Sequence, residues 1–153
     1  MSSVVNIKIA KRDPNAIVPA MQTGGAAGCD LTGIEKFDIA PGECALVDTG
    51  LAVEIPQGHA GFILPRSGLA LKKGLTVLNA PGLIDSDYRG NLKVLLYNTT
   101  KKEQSIFAGD RIAQLVVMKV ETVGWQLTGA LSDTERGDGG FGSTDEEDND
   151  AKK

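Results

Sequence analysis

The sequence predicts an all-β domain carrying one short helix. Short apolar or alternating runs recur between Gly, Pro, Asn and Asp punctuation, proline or glycine interrupts nearly every long window, and 41% hydrophobic residues in a chain of 153 suffice for one domain with a proper core. The runs, in order, cover residues 4–9, 45–53, 60–64, 75–78, 91–98 and 111–120. Between them lie Ala40-Pro41-Gly42-Glu43, Ile55-Pro56-Gln57-Gly58, Ala80-Pro81-Gly82 and Ala108-Gly109-Asp110, each supplying the fixed or positive φ that a reversing strand needs. The helix is expected over residues 67–73. Ser67 is placed to cap it, Leu69, Ala70 and Leu71 favour it, and Gly74 stops it. Because Pro65-Arg66 precedes it, free N–H groups, the Ser67 hydroxyl and a guanidinium would converge on one anion.

Composition narrows the function classes. The formal net charge is −4, with several acids in the last ten residues, so a broad basic surface for nucleic acid is not expected; a phosphorylated small molecule needs only a local cation cluster. No stretch approaches transmembrane length, and residues near the N-terminus show neither a signal nor a transit pattern, so no membrane association and a cytoplasmic location are expected. Cys29 and Cys44 form no C-x-x-C pair and read as reduced, mostly buried thiols. His59 is the single histidine and reads as a surface turn residue, which leaves little room for a histidine metal site or a Ser-His-Asp scheme without a G-x-S-x-G elbow.

The segment Arg136-Gly137-Asp138-Gly139-Gly140-Phe141-Gly142-Ser143-Thr144-Asp145 is poor material for a fold, since glycine loses the most backbone entropy on ordering and offers no side chain to pack. It suits closure over a ligand. Backbone N–H groups, Ser143 and Thr144 can meet phosphate oxygens, Arg136 adds charge, and Phe141 offers a flat face to a ring. Gly137, Gly139 and Gly142 satisfy G-x-G-x-x-G, but no helix-forming βαβ unit follows; the P-loop spacing is also approached, without its lysine. Taken alone the segment reads equally as a linker. The chain thus divides into a β-barrel domain over 1–133, a Gly-rich C-terminal lid over 134–145 and an acidic tail over 146–153, the last expected to be disordered.

Five segments, in order, resemble the motifs of the homotrimeric dUTP diphosphatases (dUTPases): Ala27-Gly28-Cys29-Asp30-Leu31; Pro65-Arg66-Ser67-Gly68-Leu69-Ala70; Asn79 with Gly82-Leu83-Ile84-Asp85-Ser86-Asp87-Tyr88-Arg89-Gly90; Gly109-Asp110-Arg111-Ile112-Ala113-Gln114-Leu115; and the Gly-rich tail. The resemblance spans nearly the whole chain. It implies a distorted jelly-roll-like subunit, three of which build shared sites, and Mg²⁺-dependent conversion of dUTP to dUMP and pyrophosphate, which keeps uracil out of DNA and supplies dUMP for thymidylate synthesis.

The resemblance also implies roles. Attack at the α-phosphorus needs a water deprotonated and aimed in line, and Asp85 matches the family's catalytic aspartate; on local sequence alone it reads as a turn cap. Tyr88 matches the residue packed against the deoxyribose, where a ring leaves no space for a 2′-hydroxyl. The uracil edge is expected to be read by hairpin backbone at Gly82, Leu83, Ile84 and Asp85, by Lys93, and by the Asn79 side chain. Arg66, Ser67, Gly68 and Gln114 are expected to hold phosphates, with Arg136, Phe141, Gly142 and Ser143 closing over them. Asp30 is expected to orient a hydrated Mg²⁺ through water. Asp87 reads as a turn acid, and Arg111 with Asp110 as a structural ion pair. One departure stands out: relatives commonly continue after Gly-Phe-Gly-Ser-Thr with glycine and a basic residue, whereas this chain continues Asp145-Glu146-Glu147, so a cation near the γ-phosphate is absent and closure is expected to be weaker. The competing readings are a dCTP deaminase, which shares the fold, and a non-catalytic β trimer.

Overall fold

The structure is a computed structural model that describes residues 4–140. The described residues up to Thr122 form one compact unit, and Val123 onward a second. The first is built from eleven short strands and one helix: β1 (Lys8–Lys11), β2 (Cys29–Thr32), β3 (Phe37–Ile39), β4 (Cys44–Asp48), β5 (Leu51–Glu54), β6 (His59–Leu64), α1 (Ser67–Lys73), β7 (Leu75–Val77), β8 (Gly82–Ile84), β9 (Lys93–Asn98), β10 (Gln104–Ile106) and β11 (Arg111–Lys119). All pairings are antiparallel. A four-stranded sheet runs β2-β11-β6-β8 and a three-stranded sheet β4-β9-β7, joined by the two-stranded pairs β1-β5 and β10-β3. Leu31, Ile63, Ala113 and Leu115 of the first sheet meet Val47, Val77, Val94 and Leu96 of the second in one apolar core.

The alternating burial of β9 is what a strand packed on one face requires: Val94, Leu96 and Asn98 are buried while Lys93 points out. Asn98 is satisfied inside, its amide donating to the carbonyls of Ile39 and Lys102 and its oxygen accepting from Thr100. The expected run over 45–53 is two strands. Gly50, at φ 65, reverses the chain between them, and a Cβ there would press on Asp13, Ala16 and Ile34. The helix begins and ends where expected, and Gly74 closes it at φ 60. Its N-cap, however, is Arg66 rather than Ser67, with no side-chain cap, because Ser67 already lies inside the first turn.

Other details differ from expectation. His59 opens β6, is half-buried, and carries a buried Nδ1 without a hydrogen-bond partner among the described residues. Cys44 is exposed and Cys29 half-buried, both as free thiols. No described helix is long and apolar enough to cross a membrane.

Candidate active site

Asp30, Gln114 and Leu64 stand side by side across β2, β11 and β6. Cross-strand partners share a face, and the neighbouring row Leu31-Ala113 faces the core, so this row faces outward. Plain alternation along β11 would put Arg111 and Gln114 on opposite faces. A bulge between Arg111 and Ala113 removes that difference: Arg111 pairs with Thr32, which shares Asp30's face, while Ile112 and Ala113 are both buried.

The result is a cation pair gathered on one carboxylate. Arg66 Nε donates to Asp30 Oδ1 at 2.9 Å and Arg111 Nη1 to Oδ2 at 3.1 Å, the Asp30 side chain being only 13% exposed. Arg66 also donates to the Arg111 carbonyl at 3.0 Å. The expected Arg111-Asp110 pair does not form, because Asp110 instead accepts from the Phe107 N–H and closes its own turn. Gln114 spends one amide N–H on the Pro65 carbonyl at 2.9 Å, which fixes the entry to α1 and leaves its second N–H without a partner among the described residues. Ser67 and Gly68 are exposed beside it.

At the far end of β6 lies a second cluster. β8 pairs Gly82 with Ile63, Leu83 with Phe62 and Ile84 with Gly61, and the hairpin then turns through Asp85 to Arg89. Leu83, Ile84, Asp85, Tyr88, Asn91 and Lys93 line a cleft of about 230 Å³. The turn is well held. Tyr88 N–H donates to the Asp85 carbonyl, the Arg89 guanidinium caps the Ser86 and Tyr88 carbonyls, and Arg12 donates to the Arg89 carbonyl at 2.7 Å. Tyr88 Oη donates to the Asn91 carbonyl at 3.0 Å. A Cβ at Gly90 would strike that hydroxyl and lie 2.6 Å from Tyr88 Cζ, so the ring can lie there only over glycine. Asn79 Nδ2 would lie 3.3 Å from a Cβ at Gly82, so the bare backbone of Gly82 lets the amide approach it closely. Asp85 and Asp87 are both exposed on this turn.

The structure therefore gathers the expected residues of the first unit into two groups. Asp30, Arg66, Ser67, Gly68 and Gln114 form one, and Asn79, Gly82, Leu83, Ile84, Asp85, Tyr88 and Lys93 the other. Continuing the β6-β8 register sets Asp85 opposite Ala60, six residues from Arg66, which at ~3.3 Å per residue is roughly 20 Å. In the second unit, Arg136 Nε folds back onto the Gly139 carbonyl at 2.8 Å around Gly137 at φ 55. Phe141, Gly142, Ser143 and Thr144 lie outside the described residues, as does the acidic tail. Sequence reading missed Arg12, Asp48 and Asn91. Arg12 braces the turn, and Asp48 holds the Asn91 amide at 3.0 and 3.2 Å.

Among the described residues no three His, Cys, Asp or Glu side chains converge as a metal cage. A hydrated Mg²⁺ would suit this donor set: Asp30 retains lone pairs beyond the two its guanidinium partners use and would hold such an ion through water, since those cations disfavour direct ligation.

Comparison with known proteins places this geometry. The family model described as dUTPase matches residues 14–145. The deoxyuridine 5'-triphosphate nucleotidohydrolase of Wolinella succinogenes is 51% identical over 140 residues, covering 92% of this chain and 94% of that one. A mutant dUTPase of Staphylococcus bacteriophage 80alpha, solved with dUpNHpp, superposes with a TM-score of 0.82 at 28% identity, covering 91% of this chain and 98% of the phage chain. A mutant dUTPase of phage phi11 of S. aureus, solved to show coordination of a structural Mg(II) ion, gives a TM-score of 0.78 at 25% identity over 84% of this chain and 99% of the phage chain.

Proposed function

The chain belongs to the dUTPase family, and on that premise we propose that it is a dUTP diphosphatase that cleaves dUTP to dUMP and pyrophosphate at a site shared between the chains of a homotrimer. The observation that carries this reading is the separation of the two clusters. A water activated by Asp85 must stand within hydrogen-bond reach of that carboxylate while it attacks the α-phosphorus. Arg66, Ser67 and Gly68 are suited to hold the adjoining phosphates, yet lie roughly 20 Å away along β6 at ~3.3 Å per residue. Consecutive phosphates do not span that gap, so the phosphate cluster of one chain serves the nucleoside cleft of another. Exposed apolar surface agrees with assembly. Val4, Ile17, Val18 and Met21 are half or more exposed in the first unit, as are Trp125 at 93% and Leu127 at 100% in the second.

Within that site, uracil enters the cleft against the Gly82–Ile84 strand, where backbone groups, Asn79 and Lys93 read its polar edge and the close hairpin rejects a 5-methyl group. Tyr88 packs on the sugar and excludes a 2′-hydroxyl. Asp85 takes the proton of the attacking water and aims it in line. Arg66, held on Asp30, presents its remaining N–H groups to phosphate, and Ser67, Gly68 and Gln114 add donors. Mg²⁺, bound with the triphosphate and oriented through water by Asp30, would screen phosphate charge and stabilise the leaving pyrophosphate. Residues 1–133 act as the barrel domain and 134–145 as a lid closing Arg136, Phe141, Gly142 and Ser143 over the substrate.

The test is a pyrophosphate-release assay across dUTP, dTTP, dCTP and UTP. The expected result is cleavage of dUTP with the others disfavoured by at least about a hundredfold. Equal turnover of dTTP would remove the hairpin reading, and orthophosphate as direct product would move the attack to the γ-phosphorus. Ammonia release from dCTP would favour the deaminase reading.

A further inference from the structure

The cleft that Tyr88 lines is braced from outside by a residue to which the reaction chemistry gives no part. Asp48 ends β4, and its side chain is 21% exposed. Its Oδ1 accepts the Gly50 N–H at 2.7 Å, which fixes the carboxylate over its own turn. So fixed, it receives the Asn91 amide on both oxygens, at 3.2 and 3.0 Å, and has Lys93 Nζ 3.8 Å from Oδ2. Asn91 in turn offers its backbone carbonyl to Tyr88 Oη. Asn91, Lys93 and Tyr88 are three of the six residues lining the cleft, and Asp48 reaches all three directly or through one link.

The turn beneath is rigid, which is why restraint at Asp48 carries across. The Thr49 hydroxyl and N–H both donate to the Leu92 carbonyl, and the Leu92 N–H donates back to Leu51 at 2.7 Å. Residue 91 thus has its following peptide clamped by backbone and its side chain clamped by Asp48. The peptide carbonyl that receives the tyrosine hydroxyl has little freedom left. A carboxylate accepting from an amide is a charge-assisted bond, stronger than the neutral bond it supports.

The geometry points to Asp48 as a positioning residue for sugar selection: through Asn91 it fixes the Tyr88 ring at the height that admits a 2′-hydrogen and rejects a 2′-hydroxyl. This rests on the reading of Tyr88 as the residue packed against deoxyribose. Asp48 touches no reacting atom, so its removal should alter discrimination and KM more than kcat.

The test uses isosteric exchanges on the full-length protein, with the dUTP/UTP ratio of kcat/KM as readout. Asp48→Asn keeps an oxygen for the Gly50 N–H but sets amide against amide at Asn91. Asn91→Asp sets carboxylate against carboxylate. Each should lower the ratio about tenfold, the loss expected when one charge-assisted hydrogen bond is removed. The double exchange Asp48→Asn with Asn91→Asp again faces one amide with one carboxylate, and should recover most of the ratio. A residue that merely caps its own turn would tolerate Asp48→Asn and gain nothing from the exchange. Thermal melting of all three variants separates loss of positioning from loss of fold. Single variants that fold and keep the parental ratio, or a folded double variant that recovers nothing, would overturn the proposal. Tyr88→Ala is the companion measurement: if it collapses the ratio while Asp48→Asn does not, the relay fails alone. If it leaves the ratio intact, the sugar reading itself fails and the relay's consequence falls with it.

Discussion

Gly90→Ala is a one-carbon perturbation aimed at the Tyr88 ring. Gly90 is not among the positive-φ glycines, so alanine can adopt its backbone conformation and the fold should tolerate the change. The side chain cannot. Its Cβ would lie 2.6 Å from Tyr88 Cζ and 2.9 Å from Cε2, where ordinary contact begins near 3.4 Å, so the ring must retreat by about 0.8 Å (3.4 less 2.6). Tyr88 is 42% exposed, which lets the ring swing outward and breaks its hydrogen bond to Asn91 rather than distorting the core. A misplacement near 1 Å costs on the order of 10² in rate when it spoils positioning. Steady-state kinetics with dUTP and UTP, beside a urea melt, should therefore show kcat/KM for dUTP down about 10²-fold, a narrowed dUTP/UTP ratio, and stability changed by less than about 0.5 kcal/mol. Unchanged kinetics in a folded variant would refute the claim that the Tyr88 ring position matters to the reaction.

Asp30→Asn leaves Arg66 and Arg111 facing an amide, and should cost roughly 1–3 kcal/mol in a urea melt and raise KM for dUTP; unaltered values would show that the guanidinium pair does not depend on this carboxylate. Truncation after Glu135 removes a segment whose glycines offer no side chain to pack, so assembly should survive light scattering while turnover is lost. A fully active truncated protein would make that segment a linker. Asp38, hydrogen-bonded first by Lys36 and then by Ser105, has its carboxyl held below the ordinary value of 3.8. A folded-state value below the unfolded one adds stability at higher pH, and that stability disappears as pH falls through the folded value. Wild type should therefore exceed Asp38→Asn in a melt at neutral pH, with the advantage shrinking as pH falls below about 3.8 and gone below the folded-state value; an advantage independent of pH down to full protonation would refute it.

Much of the architecture was legible because the longer strands carry their pattern openly. Residues 93–98 carry the apolar run Val-Leu-Leu-Tyr between polar ends, and Gly74 marks the helix end. Strands β3, β8 and β10, with three residues each, are too short for a period-2 pattern to rise above the turns around them, whereas the equally short β7 shows because Leu78 extends its apolar run. The site residues were read from motifs, and the structure sets those of the first unit in two groups that no local pattern separates. Asp48 was invisible for a related reason. Its partner Asn91 lies 43 residues away, and only the β4-β9 register brings them together. The bulge that turns Arg111 toward Asp30 did leave a trace, since Ile112 and Ala113 are consecutive apolar residues where alternation calls for one. That trace would have argued against the Asp110-Arg111 pair.

The shared site is the centre of the account, and subunit mixing tests it most directly. Asp85→Asn removes the proposed base and Arg66→Ala the proposed phosphate ligand, so each variant alone should be nearly inactive. If the two groups act across chains, every mixed trimer regains one complete site of three. Random assembly of an equal mixture makes three quarters of the trimers mixed, so dUTPase activity after unfolding and reassembling the variants together should return to about one quarter of the wild-type level. Activity that stays at the level of the separate variants, with mixed trimers verified by mass, would contradict the account and return both groups to a single chain.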